Sequence, residues 1–158
     1  MRRLVTLPLP VLAVLALGLA ACSGGGDEDA KATYVEQASA VCDETSTDFS
    51  ALTQPTAPAE LGPFVDQTLA IAERAQTGLA ALTPPEDDRA ELDRRVLVPF
   101  AALVDEGRAY AADVEAAGIN PAALLPLLGQ RPSVEGIDLD YLREYGLENC
   151  ADAISQAG

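Results

Sequence analysis

The sequence predicts an all-α protein: a small antiparallel bundle of three long helices plus shorter C-terminal helices, stapled by one disulfide. Apolar residues recur at heptad spacing through three long segments, a pattern typical of helices that bury one face. No segment shows the sustained alternation of apolar and polar residues that strands show. Because each apolar series is short, packing within the chain is favoured over an extended coiled coil.

The first long helix is predicted from Lys31 to Leu52, before a turn that contains Pro55 and Pro58. Two apolar series offset by three residues define its buried face: Val35, Cys42 and Phe49, with Ala38, Thr45 and Leu52. Cys42 therefore lies on the face that packs against the rest of the bundle.

The second long helix is predicted from Pro63 to Leu82. Its two series are Val65, Ala72 and Leu79, with Thr68, Ala75 and Leu82. Many of these side chains are small, so a partner helix is expected to approach closely. We expect the hydroxyls of Thr45 and Thr68 to bond to carbonyls of their own helices. The alternative is that they cluster with Gly107 and mark a cavity.

The third long helix is predicted to begin after Thr83, whose hydroxyl can cap it while Glu86 completes a capping box. It should run to Ala117, with a kink at Pro99 and a stop at Gly118. Its two series are Val96, Leu103, Tyr110 and Ala117, with Phe100, Gly107 and Val114.

A short apolar helix is predicted from Ala122 to Leu128, with Asn120 as its N-cap and Gly129 as its stop. It contains four leucines, Leu124, Leu125, Leu127 and Leu128. Four leucines are too many for one narrow stripe, so the helix either plugs one end of the bundle or exposes a docking patch.

The C-terminal segment follows a loop over residues 130–136. Asp138 can cap a final helix. Gly146 is expected to interrupt that helix before Cys150. A disulfide between Cys150 and Cys42 would hold this segment against the first helix.

Residues 1–21 have the order of a secretory signal peptide: a basic start at Arg2 and Arg3, an uncharged apolar run, and small residues before Cys22. A transmembrane helix is the alternative interpretation of such a run. We favour the signal peptide because Pro8 and Pro10 break the first half of the run.

The residues that follow Cys22 are small and then acidic, which is typical of a flexible tether. The predicted organisation is therefore a signal peptide over 1–21, a tether over 22–30 and a helical domain over 31–158.

Four residues at the end of the apolar run, Leu19, Ala20, Ala21 and Cys22, resemble the lipobox of bacterial lipoproteins. The resemblance implies cleavage before the cysteine, whose thiol then carries a diacylglycerol. A further acyl group such as palmitate often joins the new amine in that family. Two acyl chains hold a protein stably to a bilayer. The resemblance thus implies an anchor at Cys22, on the extracytoplasmic face of the cell membrane.

Cys42 and Cys150 are the two remaining cysteines. The oxidising compartment of an exported domain favours a disulfide between them. A loop of about 100 residues closed in this way contributes roughly 4–5 kcal/mol in the chain-entropy model. Two free thiols or a metal pair are the alternatives, although a metal would need further soft ligands that the chain lacks.

The layout contains three short motifs: Tyr34 with Cys42, the turn of Leu82, Pro84 and Pro85, and the segment from Tyr145 to Cys150. With these features the chain resembles small two-cysteine helical exported proteins of high-GC Gram-positive bacteria. Since that class has no established activity, the resemblance implies a fold and a location only.

The composition excludes several kinds of chemistry. The chain has 25 Asp plus Glu against 10 Lys plus Arg, a net charge of −15, so nucleic-acid phosphates would repel it. It has no His, which excludes an imidazole base and a His-ligated metal. It also lacks a phosphate loop and a nucleophile elbow. We therefore expect no catalytic residue, no cofactor and no metal site.

Two polar groups need a separate interpretation. Asp138 and Asp140 could form a metal or acid–base pair, but a helix cap and a solvated face explain them better. The four tyrosines, Tyr34, Tyr110, Tyr141 and Tyr145, could line a pocket, although we expect them to pack in the core.

The predicted function is that of a membrane-anchored, non-catalytic lipoprotein that binds a protein or a cell-envelope component. Its predicted docking patch is Leu124, Leu125, Leu127 and Leu128. The alternative is a lipoprotein that binds a small molecule or a cation in a pocket inside the bundle, which requires a few convergent polar groups. A third candidate, an enzyme that uses carboxylates alone, requires two facing acidic side chains in a cleft.

Overall fold

α-Helices joined by short turns make up the part of the chain that the computed structural model describes, residues 26–157. The long helices are α1, Gly26–Ala51, α2, Pro58–Ala80, and α4, Val98–Ala117. The short helices are α3, Glu86–Leu92, α5, Pro121–Leu127, α6, Leu139–Tyr145, and α7, Glu148–Ala157. A π-helical turn, Asp93–Leu97, joins α3 to α4, and a 3₁₀ turn, Val134–Gly136, precedes α6. Because residues 26–157 contain no strand, the predicted all-α bundle is confirmed.

The first helix begins earlier than predicted, at Gly26 rather than at Lys31. The prediction of a flexible tether through residue 30 is therefore wrong for residues 26–30. Three acidic residues in the first turn complement the positive end of the helix dipole. In addition, the Lys31 ammonium lies 4.1 Å from the centroid of the Tyr145 ring, which ties this end of α1 to α6.

The second helix also begins earlier than predicted, at Pro58 rather than at Pro63. The Glu60 carboxylate accepts hydrogen bonds from the backbone N–H groups of Thr56 and Ala57, at 2.7 and 3.1 Å. These bonds satisfy N–H groups at the start of the helix. Pro63 sits inside α2, where it removes one backbone donor without ending the helix.

The third predicted helix is interrupted by the π turn. Its N-cap is Pro85 and not Thr83. After a Thr83 cap the first helical residue would be Pro84, which precedes another proline and is therefore disfavoured in the helical conformation. A π-helical turn lies just before Pro99, where the sequence predicts a kink. Proline has no N–H for the carbonyl of Arg95, and the backbone N–H of Asp138 donates to that carbonyl instead, at 3.0 Å. This hydrogen bond therefore joins the loop before α6 to the long helical segment.

Four helices enclose the core. α1 contacts α2 and α7, and α2 contacts α4. The buried residues come from all of them and from the turns between them, and include Ala38, Cys42, Ala75, Leu79, Val104, Cys150 and Ile154. The C-terminal helix α7 is thus a full member of the bundle.

The predicted disulfide between Cys42 and Cys150 is confirmed, with a Cα–Cα distance of 4.9 Å. Asn149, the neighbour of Cys150, donates from Nδ2 to the Ser39 carbonyl at 3.0 Å and to Asp43 Oδ1 at 2.8 Å. The disulfide and this side-chain amide hold α7 against α1 at the same level.

Predicted caps and stops are found after α4. Asn120 Oδ1 accepts from the N–H of Ala122 at 3.1 Å, and Asp138 Oδ1 accepts from the N–H of Tyr141 at 2.9 Å. Gly118 and Gly146 end α4 and α6 with positive φ values of 58° and 101°, where a side chain would be strained.

Asp138 provides a test of the π-turn junction. The hydrogen bond from the Tyr141 N–H, and then Arg95 at 3.1 Å, hold the pKa of Asp138 below its ordinary value. Its charged form therefore stabilises the fold above about pH 4, and that contribution is lost as the pH falls through the lower folded-state pKa. We expect Asp138→Asn, which keeps a capping oxygen, to be less stable than the wild type at pH 7.

The measurement is urea unfolding of both proteins from pH 7 to pH 2. Acidification also relieves repulsion among the other carboxylates, but it does so in both proteins. The difference in stability should therefore shrink towards zero at the lowest pH. A difference that stays constant across the range would contradict the assigned role of the Asp138 charge.

Candidate functional site

An apolar cavity of about 300 Å³ lies between α2 and α4, and we call it the α2–α4 cavity. The end of α1 and the loop that follows α5 close its sides. Its aromatic lining is Phe49, Phe64 and Tyr110, and its small lining residues are Thr68, Ala72 and Gly107. Aliphatic side chains such as Leu61 and Leu103 complete the walls, with Gln54 and Arg131 as polar members.

The cavity exists because small residues of two neighbouring helices line the same space. Thr68 and Ala72 come from α2, and Gly107 comes from α4. The sequence predicted that the small residues of α2 would let a partner helix approach closely. At this level of the bundle they leave space instead. A Cβ at Gly107 would lie 3.2 Å from Leu69 Cδ1, closer than ordinary contact, so a larger residue at this position requires a small shift of the Leu69 side chain.

The charge of the lining differs from that of the whole protein. The chain carries −15, yet no Asp or Glu lines the cavity and Arg131 is its one Lys or Arg. Arg131 forms no ion pair with any residue of the described chain, whereas Arg74, Arg95 and Arg108 each pair with carboxylates. The sequence offered a cation as one possible ligand, but this cavity has no carboxylate that could bind one.

Two threonines singled out in the sequence behave differently. Thr45 donates to the carbonyl of Val41 at 2.7 Å, as predicted for a back-bonded hydroxyl. The hydroxyl oxygen of Thr68 is buried and has no hydrogen-bond partner within residues 26–157. Thr68 and Gly107 both line the cavity, as the alternative prediction required, while Thr45 lies outside it.

We expect Thr68→Val to raise the free energy of unfolding by about 1–2 kcal/mol, because it removes a buried hydroxyl that lacks a partner and keeps the shape of the side chain. Urea unfolding of the purified protein measures the change. Thr45→Val is the matched control and should give little change or a small loss, since its hydroxyl has a partner. Equal effects at the two positions would show that the Thr68 hydroxyl is satisfied in solution.

The inner wall of the α2–α4 cavity is thin on the side of the disulfide. A second, buried void of about 40 Å³ is lined by Cys42 and by side chains of α7. Phe49, Ala72 and Leu103 line both spaces. The depth of the cavity is therefore limited by these three side chains.

The tyrosines divide between the core and the cavity. Tyr34 and Tyr145 form an edge-to-face pair with ring centroids 6.1 Å apart, and Tyr141 lies 5.8 Å from Tyr145. Burial, and then the hydrogen bond that the Tyr145 hydroxyl donates to Asp88 at 2.7 Å, raise the pKa of Tyr145. These three rings are packing residues, as predicted, and only Tyr110 lines the α2–α4 cavity.

The predicted docking patch is divided by the fold. Leu124 is buried in the contact of α5 with α4, so its assignment to an exposed patch is wrong. Leu125 and Leu128 are exposed, at 66% and 49%, and Leu127 is half-buried. Since a short helix can bury only one face, the leucines serve partly as the plug and partly as surface.

The acidic residues form no evident site in residues 26–157. Asp138 caps α6, and Asp140 pairs with Arg143 at 3.0 Å, as expected for a cap and a solvated face. No cluster of three or more potential metal ligands is found among the described residues. No helix of the described part is both long and apolar enough to cross a membrane. The predicted signal peptide and the lipidation site at Cys22 lie outside the described residues.

No protein-family model, no curated protein and no solved structure matches this chain. Residues 26–157 form a disulfide-bonded helical bundle, and its α2–α4 cavity is largely apolar with Arg131 as the single charged lining residue. Phe49 was predicted only as a packing residue, and Arg131 was assigned no role in the sequence. The sequence around a single loop arginine does not indicate a binding role, because only the fold shows that the residue lines a cavity.

Proposed function

We propose that this protein is a non-catalytic, membrane-anchored lipoprotein that binds a small apolar molecule in the α2–α4 cavity. The observation that carries the proposal is the cavity itself. Its volume of about 300 Å³ lies at the lower end of the range of small-molecule sites, and its lining is mostly aliphatic and aromatic. Wider grooves elsewhere on the described chain are more open, and the groove between α1 and α2 is lined by charged residues such as Asp48 and Arg74.

A neutral n-alkanol series is the probe that tests the cavity. Each methylene that is buried contributes about 0.8 kcal/mol, so affinity should rise about fourfold per carbon. The rise should stop at the chain length that the wall of Phe49, Ala72 and Leu103 permits. Calorimetry measures the affinity, and an increase in melting temperature with alkanol concentration provides a second readout.

Gly107→Leu is the variant that fills the cavity. It should abolish alkanol binding, while helix propensity favours leucine over glycine at this position of α4. Ala102→Leu is the matched control, because Ala102 is an exposed residue of the same helix and does not line the cavity. The proposal fails if the wild type does not bind alkanols. It also fails if Gly107→Leu folds and binds them as tightly as the wild type and Ala102→Leu do.

The anchor is a separate part of the proposal and rests on the lipobox resemblance. Intact mass of the protein extracted from the membranes of its native cells should show a chain that begins at Cys22 and carries a diacylglyceryl-sized addition. Cys22→Ala should remain unmodified and leave the membrane fraction. An unmodified wild-type chain that retains residues 1–21 would contradict lipid anchoring.

Docking of a protein or of a cell-envelope component remains the second candidate. It is favoured by two exposed apolar residues: Ile119, which precedes α5 and is 71% exposed, and Leu125, which lies on α5 and is 66% exposed. Leu125→Glu should abolish cross-linking to an envelope partner and leave alkanol affinity unchanged. Cross-linking that survives the substitution would exclude this patch.

A further inference from the structure

The charge of the cavity lining indicates which class of apolar molecule the cavity accepts. We propose that the ligand is an amphiphile with a single anionic head group, whose apolar chain occupies the α2–α4 cavity and whose head pairs with Arg131. This inference rests on the proposed ligand-binding function and specifies its ligand.

The first argument concerns the lining. Acidic residues outnumber basic ones by 25 to 10 in the chain, and yet none of them lines this cavity. Arg131 does line it, and is itself exposed, so its guanidinium can remain in water while most of the lining is apolar. An apolar lining with one cation at its solvent-exposed part matches a molecule with an apolar body and a negative end.

The second argument concerns the pairing of the arginines. Arg74 pairs with Asp48, Arg95 pairs with Glu91 and Asp138, and Arg108 pairs with Glu73. Among the described arginines, Arg89 and Arg131 make no such pair, and of these two only Arg131 lines the cavity. Its five N–H donors can therefore bind a carboxylate or a phosphate monoester in the bidentate manner that guanidinium groups favour.

The third argument sets the charge of the ligand. The net charge of −15 repels anions beyond the immediate neighbourhood of Arg131, and the repulsion grows with the charge of the ligand. A single negative charge is thus favoured over a polyanion. A cationic amphiphile is disfavoured because the one charge of the lining is positive.

The experiment compares decanoate, decanol and decylammonium by calorimetry on the wild type and on Arg131→Gln. The two ions are used below their critical micelle concentrations and decanol below its solubility limit. Removal of the guanidinium should weaken decanoate about three- to tenfold and leave decanol unchanged. Arg89→Gln is the matched control. It removes the same charge from an exposed arginine of α3 that does not line the cavity, and it should change neither affinity by more than about twofold.

The outcomes separate this inference from the proposed function. If decanol binds but decanoate is insensitive to Arg131→Gln, or if decylammonium binds most tightly, the anionic head group is wrong and the cavity proposal stands. If no probe binds, both are wrong. Decyl phosphate as a fourth probe tests the charge of the head group, because a phosphate monoester carries close to two negative charges at neutral pH and should bind more weakly than decanoate. Tighter binding than decanoate would overturn the preference for a single charge.

Discussion

Replacement of both Cys42 and Cys150 by alanine should lower the free energy of unfolding by about 4–5 kcal/mol. The disulfide closes a loop of 108 residues. In the chain-entropy model, removal of the cross-link raises the entropy of the unfolded chain and lowers its free energy by about this amount. Domains of this size have total stabilities of about 5–15 kcal/mol, so the double variant should be close to unfolding at 37 °C.

The loss should be felt first at α7. This helix has only the residues Glu148–Ala157, and isolated helices of that length are marginal in water. It is attached to α1 by the disulfide, by the hydrogen bonds of Asn149 to Ser39 and Asp43, and by a hydrogen bond from Gln156 to Ser46. With the disulfide removed, hydrogen exchange should accelerate in α7 more than in α2.

Equilibrium unfolding in urea, with and without a reducing agent, measures this effect. Reduction should destabilise the wild type by nearly the same amount and should leave the double alanine variant unchanged. A double variant as stable as the oxidised wild type would mean that the α1–α7 contact survives on packing and hydrogen bonds alone.

Leu124→Ala should cost about 2–5 kcal/mol, whereas Leu125→Ala should change stability by less than about 0.5 kcal/mol. The two leucines are adjacent on α5 but face opposite surroundings. Leu124 is 5% exposed and packs into the bundle, while Leu125 is 66% exposed. Truncation of Leu124 leaves a void beneath α5. Truncation of Leu125 only reduces the apolar surface that is exposed to water.

Thermal and urea unfolding of the two variants decide between the plug and the patch for each leucine. The same pair also tests docking, because Leu125→Ala should weaken partner capture without a loss of stability. Similar stability losses at both positions would contradict the division of α5 into a buried and an exposed face.

Local sequence signals predicted most of the fold. Heptad spacing located the three long helical segments, and Asn120, Asp138, Gly118 and Gly146 correctly marked helix ends after residue 117. The disulfide was predicted from two cysteines in a chain whose first residues resemble an export signal. These features were predictable because each depends on residues close in sequence or on counting.

The predictions of helix starts were wrong where two neighbouring residues could each begin the helix. The sequence pattern places a helix start at Pro63, but the Glu60 carboxylate already satisfies the N–H groups of Thr56 and Ala57, just before Pro58. The sequence also offers Thr83 as a cap, but the prolines that follow it keep the chain extended until Glu86. In each case two acceptable local interpretations existed, and the sequence pattern alone does not rank them.

The candidate site was only partly predictable. Thr68 and Gly107 were singled out as possible markers of a cavity because they interrupt apolar faces, and both line it. Phe49 entered only as a packing residue, and Arg131 received no role. Its importance arises from its distance to residues that are far away in sequence.

By itself, the sequence determined the helical class, the cysteine pair, most helix ends and the acidic charge, because periodicity, counting and capping are local properties. Only the tertiary structure decided that small residues of α2 and α4 leave a cavity rather than a close contact. The same holds for the burial of Leu124 beside an exposed Leu125, and for Arg131 as the one charge of the cavity lining. The physical reason is that a cavity is a deficit of volume shared by several elements. It is therefore set by how their side chains pack against one another and not by any one segment.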